Sequence, residues 1–151
     1  MKGLLTIVRR DLLERLKSQP DLTALVPSVD IHAGAPIGVL KWPFIKSGPP
    51  RMRPRKAACL DAGDVTMALH AFSRGRLNSS EQMIETAEDH AAHIGSEIER
   101  AIDGKGGPVY DADGRLGYVR YALMDINLMP DGSENGAYHW FANVRGRVTA
   151  S

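Results

Sequence analysis

The chain has one cysteine, Cys59, in 151 residues. A lone cysteine excludes an intramolecular disulfide framework and a cysteine-built zinc site, and it points to a reducing compartment. Long hydrophobic runs are missing as well. The N-terminal segment offers only the short stretch Leu4 to Val8 before Arg9 and Arg10, too little for the apolar region of a signal peptide. Nothing approaches the roughly 18 apolar residues of a membrane span, so the reading is a soluble protein, or part of a soluble particle, with no membrane partner. Neither sign of charge prevails: 19 Lys and Arg stand against 18 Asp and Glu, a formal net charge of +1. The chain as a whole is therefore no strongly basic nucleic-acid binder. What remains, 43% hydrophobic and 25% charged residues, is the composition of an ordinary globular domain. A chain of this length hides roughly 68–70% of its extended surface on folding, enough for one core, and residues 1–151 are read as a single domain.

Leu5, Val8, Leu12 and Leu16 recur at helical spacing, so the periodicity predicts an amphipathic helix over residues 2–18, ended by Pro20. One more turn fits Asp21 to Val26, and a short strand Val29 to His32. Eight Gly and Pro residues between Gly34 and Pro54 then leave room for only a brief strand, Trp42 to Lys46. Residues 46–58 are read as a flexible basic loop. From Lys56 to Ser73, Val65, Met67, Leu69 and Ala71 alternate with Thr66, Ala68, His70 and Phe72, which predicts a long strand with a possible interruption at Gly63. Ser79 stands three residues before Gln82, a capping-box spacing, so a helix is expected to start there. Its stripe is Ile84, Ala87, Ala91, Ile94, Ile98 and Ile102, and Gly104 sits where a left-handed C-terminal cap favours glycine. Residues 104–117 read as a flexible connector, followed by a strand Leu116 to Leu128. After the turn Pro130-Asp131-Gly132-Ser133, a last half-buried strand alternates Tyr138, Trp140, Ala142, Val144 and Val148 with His139, Phe141, Asn143, Arg145 and Arg147. The fold class is α+β: an antiparallel sheet of about four to five strands packed with two main helices.

Chemistry-bearing patterns are weak. His90, His93 and Glu97 share a flank of the second helix, as metal ligands could, but the His-Glu-x-x-His spacing is absent. Asp111, Asp113 and Gly114 resemble the start of a calcium loop, yet Arg115 and Ala122 stand where further ligands belong. Cys59, Ser73, Ser79 and Ser80 lie in no nucleophile signature. No catalytic residue, metal or cofactor is assigned, and the chain is read as not an enzyme.

Charge distribution says more. Lys41, Lys46, Arg51, Arg53, Arg55 and Lys56 occur with no acidic residue among them, whereas residues 81–103 hold Glu81, Glu85, Glu88, Asp89, Glu97, Glu99 and Asp103 against Arg100 alone. Two opposite patches could meet between copies, and a contact between unlike patches forms a ring when its rotation closes. They could equally stay solvated, or the basic segment could track phosphates.

Four segments in order carry a resemblance: the opening helix with Leu12, Leu16 and Leu25-Val26; Val29-Asp30-Ile31-His32; Trp42-Pro43-Phe44-Ile45; and Leu69-His70-Ala71-Phe72-Ser73-Arg74 running toward an Ala-rich helix. With the final hairpin to Val148, they make the chain similar to the tail-completion, or tail-terminator, family of long-tailed bacteriophages, prophages and gene-transfer particles. The basic stretch 48–56 and the connector 104–117 depart from its usual pattern. The resemblance implies a structural virion protein, made in the host bacterial cytoplasm, that forms a ring, expected to be a homohexamer, on the head-proximal end of the tail tube. It would stop tail growth and join the tail to the head connector. Implied partners are further copies of itself, the major tail tube protein, a head-side connector or stopper, and genomic DNA passing through the lumen without sequence-specific binding. Arg51, Arg53, Arg55 and Lys56 are then candidates for the lumen or an adjacent ring, and Glu81, Glu85, Glu88 and Asp89 for an acidic subunit interface. The alternatives are another head–tail connector or minor tail component, a small nucleic-acid-binding module, or a metal-dependent enzyme.

Overall fold

The computed structural model describes residues 3–57 and 60–150. Helix α1 (Leu4–Lys17) buries Leu4, Ile7, Val8, Leu12, Leu13 and Leu16, so Leu4 rather than Leu5 opens the apolar stripe. Pro20 stops α1 and also starts a single turn, α2 (Pro20–Thr23), since proline's fixed φ and missing N–H are tolerated at a first helical position. A 3-10 turn at Ser28–Asp30 leads into β1 (Ile31–His32), which runs parallel to β2 (Phe44–Ser47).

Among the described residues the sheet has seven strands, more than the sequence pattern suggests. Besides β1 and β2 it contains β3 (Arg51–Ala57), β4 (Leu60–Ser73), β7 (Gly106–Asp111), β8 (Gly114–Pro130) and β9 (Tyr138–Ala150), while β5 (Arg76–Leu77) and β6 (Met83–Glu85) form a separate two-stranded ribbon. Strand order is β1-β2-β4-β9-β8-β7, with β3 pairing the first half of β4 on the side where β2 pairs the second half. The basic segment 46–58 is thus largely strand rather than loop. Its Pro54 is tolerated because β3 is an edge strand, whose outward N–H groups have no ladder partner to lose. Strand β4 runs through Gly63 without a break.

The connector 104–117 is likewise corrected to a hairpin. Residues Asp111 and Gly114 pair across the turn Ala112-Asp113, where Asp113 N–H donates to Asp111 Oδ1 at 2.9 Å. Gly106 looks like a loop residue in sequence, but it lies inside β7 because a Cβ there would run into the Val119 carbonyl of the neighbouring strand.

The second main helix also begins later than the Ser79 spacing implies. Helix α3 spans Ala87–Ile102, and its N-cap is Thr86, whose Oγ1 accepts from Asp89 N–H at 3.2 Å. Before it, Asn78 Oδ1 accepts from Ser80 and Gln82 N–H, closing the turn of the β5–β6 ribbon and leaving Ile84 exposed. An asparagine that captures backbone donors locally competes with helix initiation. Gly104 does take a left-handed conformation, φ 70°, after α3.

Both long helices pack on one face of the sheet. Ala91, Ile94, Ile98 and Ile102 of α3 and Val8, Leu12 and Leu16 of α1 meet Val65, Met67, Leu69 and Ala71 of β4, Ala142, Val144 and Val148 of β9, and Val119 of β8. Each fully buried aliphatic here contributes about 1.5–3 kcal/mol over exposure. Trp140 reaches so close to α3 that a Cβ at Gly95 would overlap its indole ring. Tyr121 sits in this core with its hydroxyl 2.6 Å from Asp11 Oδ2, which also accepts from Arg15 Nε at 2.8 Å. Burial first, and then this hydrogen bond, raise the Tyr121 phenol well above its ordinary range. No helix among the described residues is long and apolar enough to cross a membrane.

Candidate functional site: the outer face of the sheet

Alternation along β4, β8 and β9 puts apolar residues against the helices and sends the intervening residues to the opposite, outer face. Cross-strand register turns those residues into rows. One row runs Arg53, Asp64, Arg147, Arg120 across β3, β4, β9 and β8, and the next runs Arg51, Thr66, Arg145, Ala122. Arg55 stands beside Ala62 at the start of a third. With neighbouring strands about 4.8 Å apart, six guanidinium groups from three strands share one surface. Arg51, Arg53, Arg55 and Arg120 are exposed, and Arg145 and Arg147 are partly so.

One carboxylate organises part of this array. Asp64 Oδ2 accepts from Arg55 Nε at 2.8 Å and Oδ1 from Arg147 Nε at 3.2 Å. Burial alone would raise the Asp64 carboxyl, but hydrogen bonds from Arg147 and Arg55 outweigh it and hold the group below the usual carboxylate range. Asp64 is 8% exposed, so the Arg55 and Arg147 heads are fixed over it. Arg51, Arg53, Arg120 and Arg145 form no ion pair among the described residues, Asp103 lying in the same concavity as Arg120 and Arg145.

The far half of the same face is built from rings. Phe44 and Phe72 stack at 4.7 Å, Phe72 and His139 at 4.2 Å, and Trp42 meets Phe44 edge-on at 5.1 Å. His70 Nδ1 lies 2.7 Å from His139 Nε2, and Phe141 flanks both rings. Burial, and then the neighbouring His70, push the His139 imidazole down to about 4; burial and Lys46 lower His70. Lowered below their ordinary value, both rings are neutral at pH 7, and one donates while the other accepts. Arg74 lies over Trp42 at 4.4 Å and reaches Glu134 at 2.8 Å, tying this half to the β8–β9 connection.

The sequence-predicted site residues are divided by the fold. Arg51, Arg53 and Arg55 do share a surface; the Lys56 side chain and Cys59 lie outside the described residues. Arg120, Arg145 and Arg147 complete the array and were missed as site residues, although the alternation of β9 had already set Arg145 and Arg147 opposite its apolar residues. The four acidic candidates separate. Glu81 lies in the β5–β6 turn with φ 60°, and Glu85, in β6, is bound by Arg76 at 3.0 Å and His93 at 3.2 Å. Only Glu88 and Asp89 occupy the first turn of α3.

The metal reading of His90, His93 and Glu97 is overturned. His90 is buried and lies 2.7 Å from Ser73 Oγ, His93 turns to Glu85, and Glu97 pairs with Arg100 at 3.2 Å. Among the described residues no cluster of three or more His, Cys, Asp or Glu is arranged to hold a metal ion.

A chain of a native gene transfer agent virion particle shares this fold, with a TM-score of 0.72 over 99% of the present chain and 100% of its own, at 13% identity. No curated protein matches the chain in sequence. The family model of the tail completion protein gp17 matches residues 10–149, and the chain belongs to that family, one of structural virion components and not of enzymes.

Proposed function

We propose that the protein closes the head-proximal end of a phage-type tail as a hexameric ring, ending tube growth and joining the tube to the head-side connector. The observation that carries this reading is the family match across nearly the whole chain. A virion chain that adopts the same fold from end to end supports it. The subunit's construction also suits the role. A sheet covered on one side by two helices leaves its other face open to a neighbour, and that face bears Arg51, Arg53, Arg120 and Arg145, which form no ion pair among the described residues. In the assembly, Arg51, Arg53, Arg55 and Lys56 belong to a contact with whatever adjoins the subunit, and Glu88 and Asp89 to the interface between subunits. The ring surrounds the channel through which genomic DNA leaves the head, without reading its sequence.

The test is negative-stain electron microscopy of particles from a producing strain lacking this gene, beside the complemented strain. Filled heads accompanied by detached or overlong tails are expected. Normal tailed particles would overturn the proposal.

A further inference from the structure

We infer that the arginine rows on the outer sheet face are occupied, in the assembled protein, by the acidic flank of α3 from the next copy of the chain. The inference rests on the ring reading and names the partner of one of its surfaces. Three observations carry it. The first is charge complementarity within one sequence. Glu88 and Glu99 lie toward the same flank of α3, with Asp89 beside them in the first turn, and among the described residues none of the three forms an ion pair. Across the molecule, Arg51, Arg53, Arg120 and Arg145 likewise form none among the described residues. The second is shape. The rows reach from β3 to β8, three strand spacings or about 14 Å, and a helix with its side chains is about 10–12 Å across. Glu88 and Glu99 are eleven residues apart in α3, about 16 Å along its axis, so the acidic flank spans the width of the rows. The third is direction. Helix α3 covers the inner face of the sheet, so its acidic flank and the arginine rows look out on opposite sides of the subunit. A contact between them is head-to-tail, the kind that generates a closed ring or a filament rather than an isologous pair.

A duplex nucleic acid is the other chemistry that arginine rows can meet. The near-zero net charge favours the protein partner. A phosphate-tracking surface works through a cationic excess of the molecule as a whole, whereas here the basic face is balanced by an acidic one on the same chain. Arginine suits the contact, since its planar fork binds carboxylates in a bidentate manner.

The test uses full-length chains carrying reversed charges on one side only: Arg51→Glu with Arg145→Glu, and Glu88→Lys with Glu99→Lys. None of these four residues packs in the core, so circular dichroism and melting temperature should match the wild type. Each double variant is supplied alone to a producing strain that lacks the gene, and the two are then supplied together. Like charges facing across the contact should lower joined, tailed particles roughly tenfold or more for either variant alone. Together they should restore them, because an acid-only copy can alternate with a base-only copy around an even-membered ring. Wild-type yields from each variant alone, or a mixture no better than its parts, would overturn the inference. So would loss confined to the Arg51→Glu/Arg145→Glu variant together with its failure to retain duplex DNA, which would assign the rows to nucleic acid. Wild-type protein found in joined particles while the charge swaps change nothing would sink this inference alone; absence of the protein from particles would sink the ring reading.

Discussion

Along β4 the outward residues run from Ala62 and Asp64, through Thr66, Ala68 and His70, to Phe72, and the two ends of that row meet unlike neighbours. At the Phe72 end, Trp42, Phe44, His139 and Phe141 close over one another, and Phe72 is left 9% exposed on what is formally the solvent side. Ring–ring contacts there satisfy the surface from within the chain. At the Asp64 end, Asp64 binds Arg55 and Arg147, while Arg51, Arg53, Arg120 and Arg145 form no ion pair among the described residues, so like charges are held together. The same strands and the same alternation thus produce one half closed by its own rings and one half rich in arginine, the half that in the proposed ring meets a neighbour. The difference lies only in which side chains the register brings into each row.

The sharpest way to break that comparison is to truncate one residue in each half. Phe72→Ala removes a ring stacked on both sides and should cost about 3–5 kcal/mol, measured by urea unfolding. Arg53→Ala, in the arginine half, should change stability by no more than about 0.5 kcal/mol. Comparable losses at the two sites would mean that the arginine rows are structural after all.

Asp64 is where the two roles touch. Asp64→Ala removes the anchor of Arg55 and Arg147 and should destabilise by about 1–3 kcal/mol, with the deficit shrinking as salt screens the remaining arginines. Melting curves at low and high ionic strength check this; a salt-independent loss would show that packing, not charge, is what Asp64 supplies.

The ring half should announce itself through pH. His139 titrates near 4 in the folded protein against an ordinary value of 6.5. Above pH 6.5 both states are neutral and the group contributes no pH dependence. As pH falls below 6.5 the unfolded chain takes up the proton first, so stability declines until about pH 4 and then levels. For a partly exposed ring the total is about 1–2 kcal/mol after allowance for solvent screening. His139→Phe should flatten that slope in chemical denaturation between pH 7 and 4. An unchanged slope would assign the acid sensitivity elsewhere.

How much of this was legible depends on the range of the interaction. The core faces of β4 and β9 could be read because alternation is local, as could the α3 stripe from Ala87 to Ile102. The resemblance to tail-completion proteins rested on such segments and agrees with the family match. Strand β3 was hidden because its exposed arginines and Pro54 mimic a loop, and β7 because Gly106 serves a close backbone approach that only the fold reveals. The arginine rows were out of reach for a different reason. Asp64 and Arg147 are 83 residues apart, and no local pattern specifies that their strands pair in that register.

The start of α3 shows the same limit at short range, and it yields the smallest expected effect. The capping-box spacing points to Ser79, three residues before Gln82; the structure instead uses Thr86, three residues before Asp89. The decision is made by Asn78, whose side-chain carbonyl takes the N–H groups of Ser80 and Gln82 and folds the segment into a turn. It is made also by Arg76 and Glu85, which are joined across the β5–β6 ribbon at 3.0 Å. Thr86→Ala should therefore cost about 1 kcal/mol by removing the acceptor for Asp89 N–H, while Ser79→Ala, at an exposed turn position, should stay within about 0.5 kcal/mol. Equilibrium unfolding of the two single variants measures the difference. Equal costs would mean that the helix frays back toward Ser79 in solution, and that the ribbon ordering Glu85 against His93 is weaker than its hydrogen bonds imply.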